Sequence, residues 1–143
     1  MDTYLSTETE VPWRRAVLSI DQFSRSDIAE LFVLADTLAA VPQKPLAGRT
    51  LANLFYEPST RTSSSFFAAM TRLGGNVIPI NEVHYSSVSK GESLEDTVRT
   101  LECYADAVVL RHYDNDAAER ALRVCQASGS PVRVHTARSI LNP

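Results

Sequence analysis

The chain has 143 residues, 44% of them hydrophobic and 22% charged, enough apolar material for one domain with a buried core and too little length for two. A net charge of -3 and a pI near 5.6 exclude a global attraction to nucleic acid or to an anionic membrane, so an anion site has to be local. No apolar run approaches the ~20 residues of a membrane span, and the polar start MDTYLSTETE has no signal-peptide core, so the expected location is cytoplasmic.

Residues 1–12, rich in Thr, Glu and Ser, are expected to form a loose N-terminal segment, with order beginning near Trp13. From Ser24 the spacing of Ile28, Leu31, Phe32, Ala35, Leu38 and Ala39 predicts an amphipathic helix, opened by a capping box of Ser24 and Asp27 and closed before Pro42. Leu51 to Tyr56 is a short apolar run of the kind covered on both faces of a parallel sheet. After the hydroxyl-rich segment EPSTRTSSS, Phe66, Ala69, Met70 and Leu73 return to helical spacing, and Gly74-Gly75 marks the stop. Asn76 to Ile80 is the next strand, placed at an edge or ending at Pro79, which has no N–H for a ladder. A polar loop follows to Glu92.

Ser93 and Asp96 predict a second capping box, with Leu94, Val98, Leu101 and Ala105 as the apolar face of that helix. Ala107 to Leu110 is a third strand. Asn115 is the expected cap of a last helix lined by Ala118, Leu122 and Cys125 and stopped by Gly129, and Pro131 to Val134 is a fourth strand. The alternation predicts an α/β fold, a parallel sheet of about four strands with helices on both faces. Cys103 and Cys125 lack metal-ligand spacing and are expected as two reduced, buried thiols; Tyr104, Phe66 and Phe67 are expected in the core. The pattern calls for no metal or cofactor.

Ligands of an open parallel sheet bind outside the carboxyl ends of the strands. That rule brings together Ser59, Thr60, Arg61 and Thr62 after the first strand, Ser86, Ser87, Ser89 and Lys90 after the second, and Arg111 and His112 after the third. A helix mouth carrying hydroxyls and an arginine suits a phosphate: the first-turn N–H groups lack partners, and a guanidinium bonds two phosphate oxygens at once. GxxxxGK[ST] and GxGxxG patterns are both missing, which argues against a nucleoside triphosphate or a dinucleotide. The plainer reading is that Ser59 or Thr60 only caps the helix and Arg61 only solvates it. For Arg111 the plainer reading is a strand-end pair with Glu102 or Asp106, for His112 a structural imidazole, and for Lys90 a solvated loop lysine.

EPSTRT followed by SF and LGG, then SSVSKGESLEDT, then ADAVVLRH, resembles the carbamoyl-phosphate-binding half of the carbamoyltransferase family, over about Trp13 to Val134. Lys90 in SVSKGES and the pair Arg111-His112 place the resemblance with the aspartate branch rather than the ornithine branch. It implies a carbamoyl-phosphate-binding domain over residues 13–134. In that domain Ser59, Thr60, Arg61 and Thr62 hold the phosphate, Thr62 reaches the carbamoyl oxygen, and Arg111 contacts carbamoyl phosphate and the bound aspartate. It also implies that Ser86 and Lys90 lie on a loop entering a neighbour's active site in a homotrimer, and that Glu57 pairs with arginines of a second domain on closure. His112 falls among the substrate-binding residues; Arg61, Thr62 and Arg111 are the catalytic candidates.

Departures from the pattern carry their own expectations. Catalytic chains of the family are roughly twice this length, so the aspartate-binding domain is expected to be absent and aspartate to bind only if one is supplied. The family's HPTQ is replaced by VRVHTARSILNP; residues 135–143 are read as an altered or truncated terminus, and no role passes to His135. Ser63 stands where the family usually has an arginine. The competing readings are a catalytically incompetent relative that keeps anion binding or trimer contacts, and an unrelated flavodoxin-like phosphate binder.

Overall fold

The computed structural model describes residues 16–40, 42, 44–81 and 91–137. Along the chain run β1 (Ala16–Val17), α1 (Arg25–Ala40), β2 (Thr50–Phe55), α2 (Thr60–Arg72), β3 (Asn76–Asn81), α3 (Leu94–Leu101), β4 (Ala107–Arg111), α4 (Ala117–Ser128) and β5 (Arg133–Thr136). The strands lie in the order β1-β5-β4-β2-β3, every neighbouring pair parallel. This is the expected α/β sheet with one strand more. The extra strand, β1, has only two residues, too few for any periodicity to reveal.

Side chains of a strand alternate between faces, so β2 feeds two cores. Ala52, Leu54 and Tyr56 join Val108, Leu110 and Val134 against Leu94, Val98 and Leu101 of α3 and Ala121 and Cys125 of α4. On the other face Leu51, Phe55 and Val109 pack on Phe66 and Met70 of α2. Burial on both sides is why β2 reads as a nearly unbroken apolar run. Pro79 lies on the edge strand β3, as its missing N–H requires. Gly74 ends α2 at φ 88°, a left-handed conformation that a side chain would strain.

Ser24 and Asp27 cap α1 reciprocally: the Asp27 N–H donates to Ser24 Oγ, and the Ser24 N–H donates to the Asp27 carboxylate. At α3 the Asp96 N–H donates to Ser93 Oγ, whose hydroxyl donates back to the Asp96 carboxylate.

Several local expectations are corrected. Asp116, not Asn115, occupies the N-cap of α4, and its side chain makes no capping bond. The last strand starts at Arg133 rather than Pro131. Cys103 is exposed while Cys125 is buried. Tyr104 and Phe67 are exposed, and only Phe66 packs on the core. Tyr104 and Cys103 fall in the turn after α3, where helical spacing no longer applies. The apolar stripe of α1 is the largest difference: none of its 16 residues is buried, and Phe32, Ala35 and Ala39 face solvent. A helical period specifies an apolar face but not the neighbour that covers it.

Candidate functional site

From β2 the chain crosses by α2 to β3 on one side, then returns by α3 to β4 on the other side of β2. The reversal opens a crevice beyond the ends of β2 and β4, the place where such sheets bind ligands. Phe55 pairs in register with Arg111, and the Tyr56 N–H donates to the Arg111 carbonyl at 2.8 Å. Glu57 to Thr62 and Arg111 are thereby fixed side by side.

Ser59 is the N-cap of α2, yet its side chain makes no capping hydrogen bond. The first helical bond runs from the Ser63 N–H to the Ser59 carbonyl at 2.9 Å, so the N–H groups of Thr60, Arg61 and Thr62 lie ahead of the ladder. A capping serine would have used its hydroxyl there; this one makes no such bond, and the first-turn amides stay uncapped by it. A cleft of about 230 Å³ at this mouth is lined by Phe55 and by the polar Ser59, Thr60, Ser63, Ser64 and Asn81. Arg61 is exposed and Thr62 half-buried on the same turn, neither of them lining the cleft.

Strand alternation places Arg111 on the face of Val109, the α2 side, and His112 on the opposite side. Arg111 Nε lies 3.0 Å from a Glu57 carboxylate oxygen, with both side chains largely buried, and Nη1 donates to the Ala137 carbonyl at 3.3 Å. The Nε–H is not aimed at the carboxylate, so charge rather than a directed hydrogen bond holds the pair. Neither Glu102 nor Asp106 is its partner: Asp106 instead pairs with Arg49 at 2.7 Å and accepts from the Thr50 N–H, which holds its carboxyl below the ordinary range.

The His112 ring packs on Tyr56 with centroids 4.4 Å apart, and its Nδ1 accepts from the Asp114 N–H at 2.9 Å. That bond leaves Nε2 as the protonated nitrogen of a neutral ring, and burial pushes the imidazole pKa down. His112 thus stands on the α3 and α4 side of the sheet, away from the hydroxyl-lined cleft. Ser86 and Lys90 lie outside the described residues. Three residues that the motif reading did not single out as binding groups, Asn53, Ser63 and Asn81, join β2, α2 and β3 beneath the cleft. The one sequence sign of them is an asparagine in the middle of an apolar strand.

A wider groove of about 420 Å³ lies between α3 and α4, remote from the strand ends. Its arginines are largely committed. Arg120 pairs with Glu95 at 2.7 Å and with Asp114 at 3.2 Å, and Arg99 with Asp96 at 2.8 Å, so two of the three lining arginines are already paired.

Fold and cleft define a parallel α/β domain with a hydroxyl-lined cleft at a helix mouth. The family model for the aspartate/ornithine carbamoyltransferase carbamoyl-P binding domain matches residues 15–138, and the chain belongs to that family. It is 48% identical over 135 residues to the multifunctional protein pyr-3 of Neurospora crassa, covering 88% of this chain and 7% of that protein. Over 135 residues it is 45% identical to the aspartate carbamoyltransferase catalytic subunit of Thermofilum pendens, covering 90% of this chain and 43% of that subunit. The aspartate transcarbamoylase of Trypanosoma cruzi, solved in complex with carbamoyl phosphate and aspartate, superposes with a TM-score of 0.75 at 43% identity, covering 86% of this chain and 40% of that one. The chain therefore spans less than half the length of each relative it matches. Among the described residues no helix is long and apolar enough to cross a membrane.

Proposed function

We propose that residues 13–134 bind carbamoyl phosphate and form the carbamoyl-donor half of an aspartate carbamoyltransferase. The observation that carries this is the convergence at the switch point. The uncapped mouth of α2, with Ser59 and Thr60 in the cleft, lies beside the strand end that presents Arg111. In this reading the amides of the first turn and Arg61 hold the phosphate, and Thr62 and Arg111 meet the carbamoyl oxygen. The amine of aspartate, held by a second domain, attacks the carbonyl carbon; the C–N bond forms, the C–O bond to phosphate breaks, and the amine loses a proton. Negative charge develops on the carbamoyl oxygen and on the leaving phosphate, where fixed donors and cations lower the barrier without a covalent nucleophile.

Assembly belongs to the same proposal: a cytoplasmic homotrimer in which the loop with Ser86 and Lys90 completes a neighbour's site. His112, whose ring stands on the α3 and α4 side of the strand ends, is offered as a substrate-side residue through its Nε2–H rather than as a wall of the hydroxyl-lined cleft. A second reading, a subunit that binds the anion without turnover, is favoured by the replacement of HPTQ with VRVHTARSILNP. Calorimetric titration of carbamoyl phosphate in phosphate-free buffer tests the site itself. Saturable binding to the chain that is lost in Arg61→Ala is the expected result, and heat unchanged by that substitution would discard the cleft as the binding site. Formation of carbamoyl aspartate by the chain, alone or with a supplied aspartate-binding domain, then separates the two readings.

A further inference from the structure

We infer that Asn53, Ser63 and Asn81 form a polar chain that presents one more hydrogen-bond donor to the cleft, the side-chain NH2 of Asn81. The inference rests on reading that cleft as a phosphate site. Asn53 is fully buried in the middle of β2, and its Nδ2 donates to both the carbonyl oxygen and Oγ of Ser63, each at 3.1 Å. A carbonyl only accepts, so this contact settles which way the Asn53 amide points: NH2 toward Ser63, Oδ1 away. Ser63 Oγ, already accepting from Asn53, directs its own proton to Asn81 Oδ1 at 3.0 Å. Asn81 follows in turn, with its oxygen engaged by that proton and its NH2 left over.

Asn81 is exposed and lines the cleft, and among the described residues nothing accepts from its NH2. The polarity of the whole chain therefore runs outward and ends in a donor, which is what an anion requires. Reversing the Asn53 amide would set its Oδ1 against the Ser63 carbonyl, acceptor against acceptor, and reversing Asn81 would leave the Ser63 hydroxyl proton without the Asn81 oxygen. Ser63 also closes the first turn of α2 through its N–H to the Ser59 carbonyl, so the same residue sets the helix mouth and orients Asn81. Asn53 and Ser63 act through others and are positioning residues; Asn81 is the group that would touch the ligand. Neither the phosphate motif nor the strand-end arginine includes any of the three.

The test is calorimetric binding of inorganic phosphate to the full chain and to Asn81→Asp, Asn81→Ala, Ser63→Ala, Ser63→Ala with Asn81→Ala, and Arg61→Ala. Asn81→Asp keeps the shape and turns the donor into an acceptor, so affinity is expected to fall about tenfold or more at pH 8. The wild-type to variant ratio should shrink as pH falls toward the carboxyl's ordinary value near ~4, the ratio cancelling the titration of phosphate itself. Asn81→Ala loses the donor without adding charge and should weaken binding less. Ser63→Ala releases the Asn81 amide to rotate, so it should also weaken binding, and the double variant should be no worse than Asn81→Ala alone. Asn81 is exposed, and thermal melting confirms that each variant is folded. Wild-type affinity in Asn81→Ala, or additive losses in the double variant, alongside lost binding in Arg61→Ala, would overturn the polar chain and leave the site standing. Failure of the wild-type chain to bind phosphate at all would overturn the site reading and this inference with it.

Discussion

Glu57 and Arg111 meet at 3.0 Å beside the strand ends, whereas the family resemblance implied that Glu57 reaches arginines of another domain. Glu57 is 24% and Arg111 13% exposed, so the pair is only partly screened by water. On the proposed reading of the cleft, an arriving phosphate competes with Glu57 for the same guanidinium. Glu57→Gln keeps the shape and removes the competing charge, and phosphate affinity of the chain is expected to rise by about threefold, a change within the range of a partly screened ion pair. Calorimetry checks it, and weaker binding in Glu57→Gln would mean that the carboxylate orders Arg111 rather than withholding it. That the hydroxyls and Arg61 stand at a helix start and Arg111 at a strand end was legible in the sequence, because strand ends and helix starts carry spacing signals. Asn53 was visible too, but one polar residue in an apolar strand matches no template, and its meaning depends on Ser63 and Asn81 arriving from two other elements. Ser63, noted in the sequence only as standing where the resembled family usually has an arginine, is a buried hydroxyl that both accepts and donates.

At the scale of elements, the helices and strands that pack against one another were the most legible, since burial on one face imposes the period that the sequence then displays. β5 was displaced by two residues because Pro131 and Val132 look strand-like but precede the ladder, which begins where Arg133 pairs with Ala107. His135, the third residue of β5, carries a consequence for pH. Burial, with the Arg133 charge adding to it, holds its imidazole pKa below the ordinary value of about 6.5. Above that value the ring is neutral in both folded and unfolded chains and contributes nothing to the slope. As pH falls below it, the unfolded chain takes up a proton that the folded chain resists, so stability is lost toward the folded-state value. His112 adds to the same slope with the same sign. Glu95 and Asp106, whose carboxyls are held low by Arg120 and by Thr50 and Arg49, act in a separate window below about pH 4. Urea midpoints between pH 7.5 and 5 should therefore decrease, and His135→Asn should flatten the part of that decrease due to β5. An equally steep profile in the variant would assign the slope to other groups.

Over the whole molecule the sheet buries β2 and β4 on both faces while α1 stays outside, with Phe32 68%, Val33 67% and Leu34 49% exposed. Three consecutive large apolar side chains in water are an uncommon surface for a soluble domain. They explain why the apolar period of α1 was easy to read and its burial was not: the period is local, whereas burial needs a partner that the described residues do not provide. The same comparison gives an experiment at this scale. Because Phe32 makes little contact within the chain, Phe32→Lys should leave unfolding free energy within about 0.5 kcal/mol of wild type, as surface substitutions do. Removing apolar surface should at the same time reduce association of the isolated chain at high concentration, read as a smaller weight-average sedimentation coefficient. A loss of more than about 1 kcal/mol would instead mean that the helix face is packed within this chain. If stability holds and association does not change, the exposed stripe is not what draws copies together, and association has to be sought at another surface.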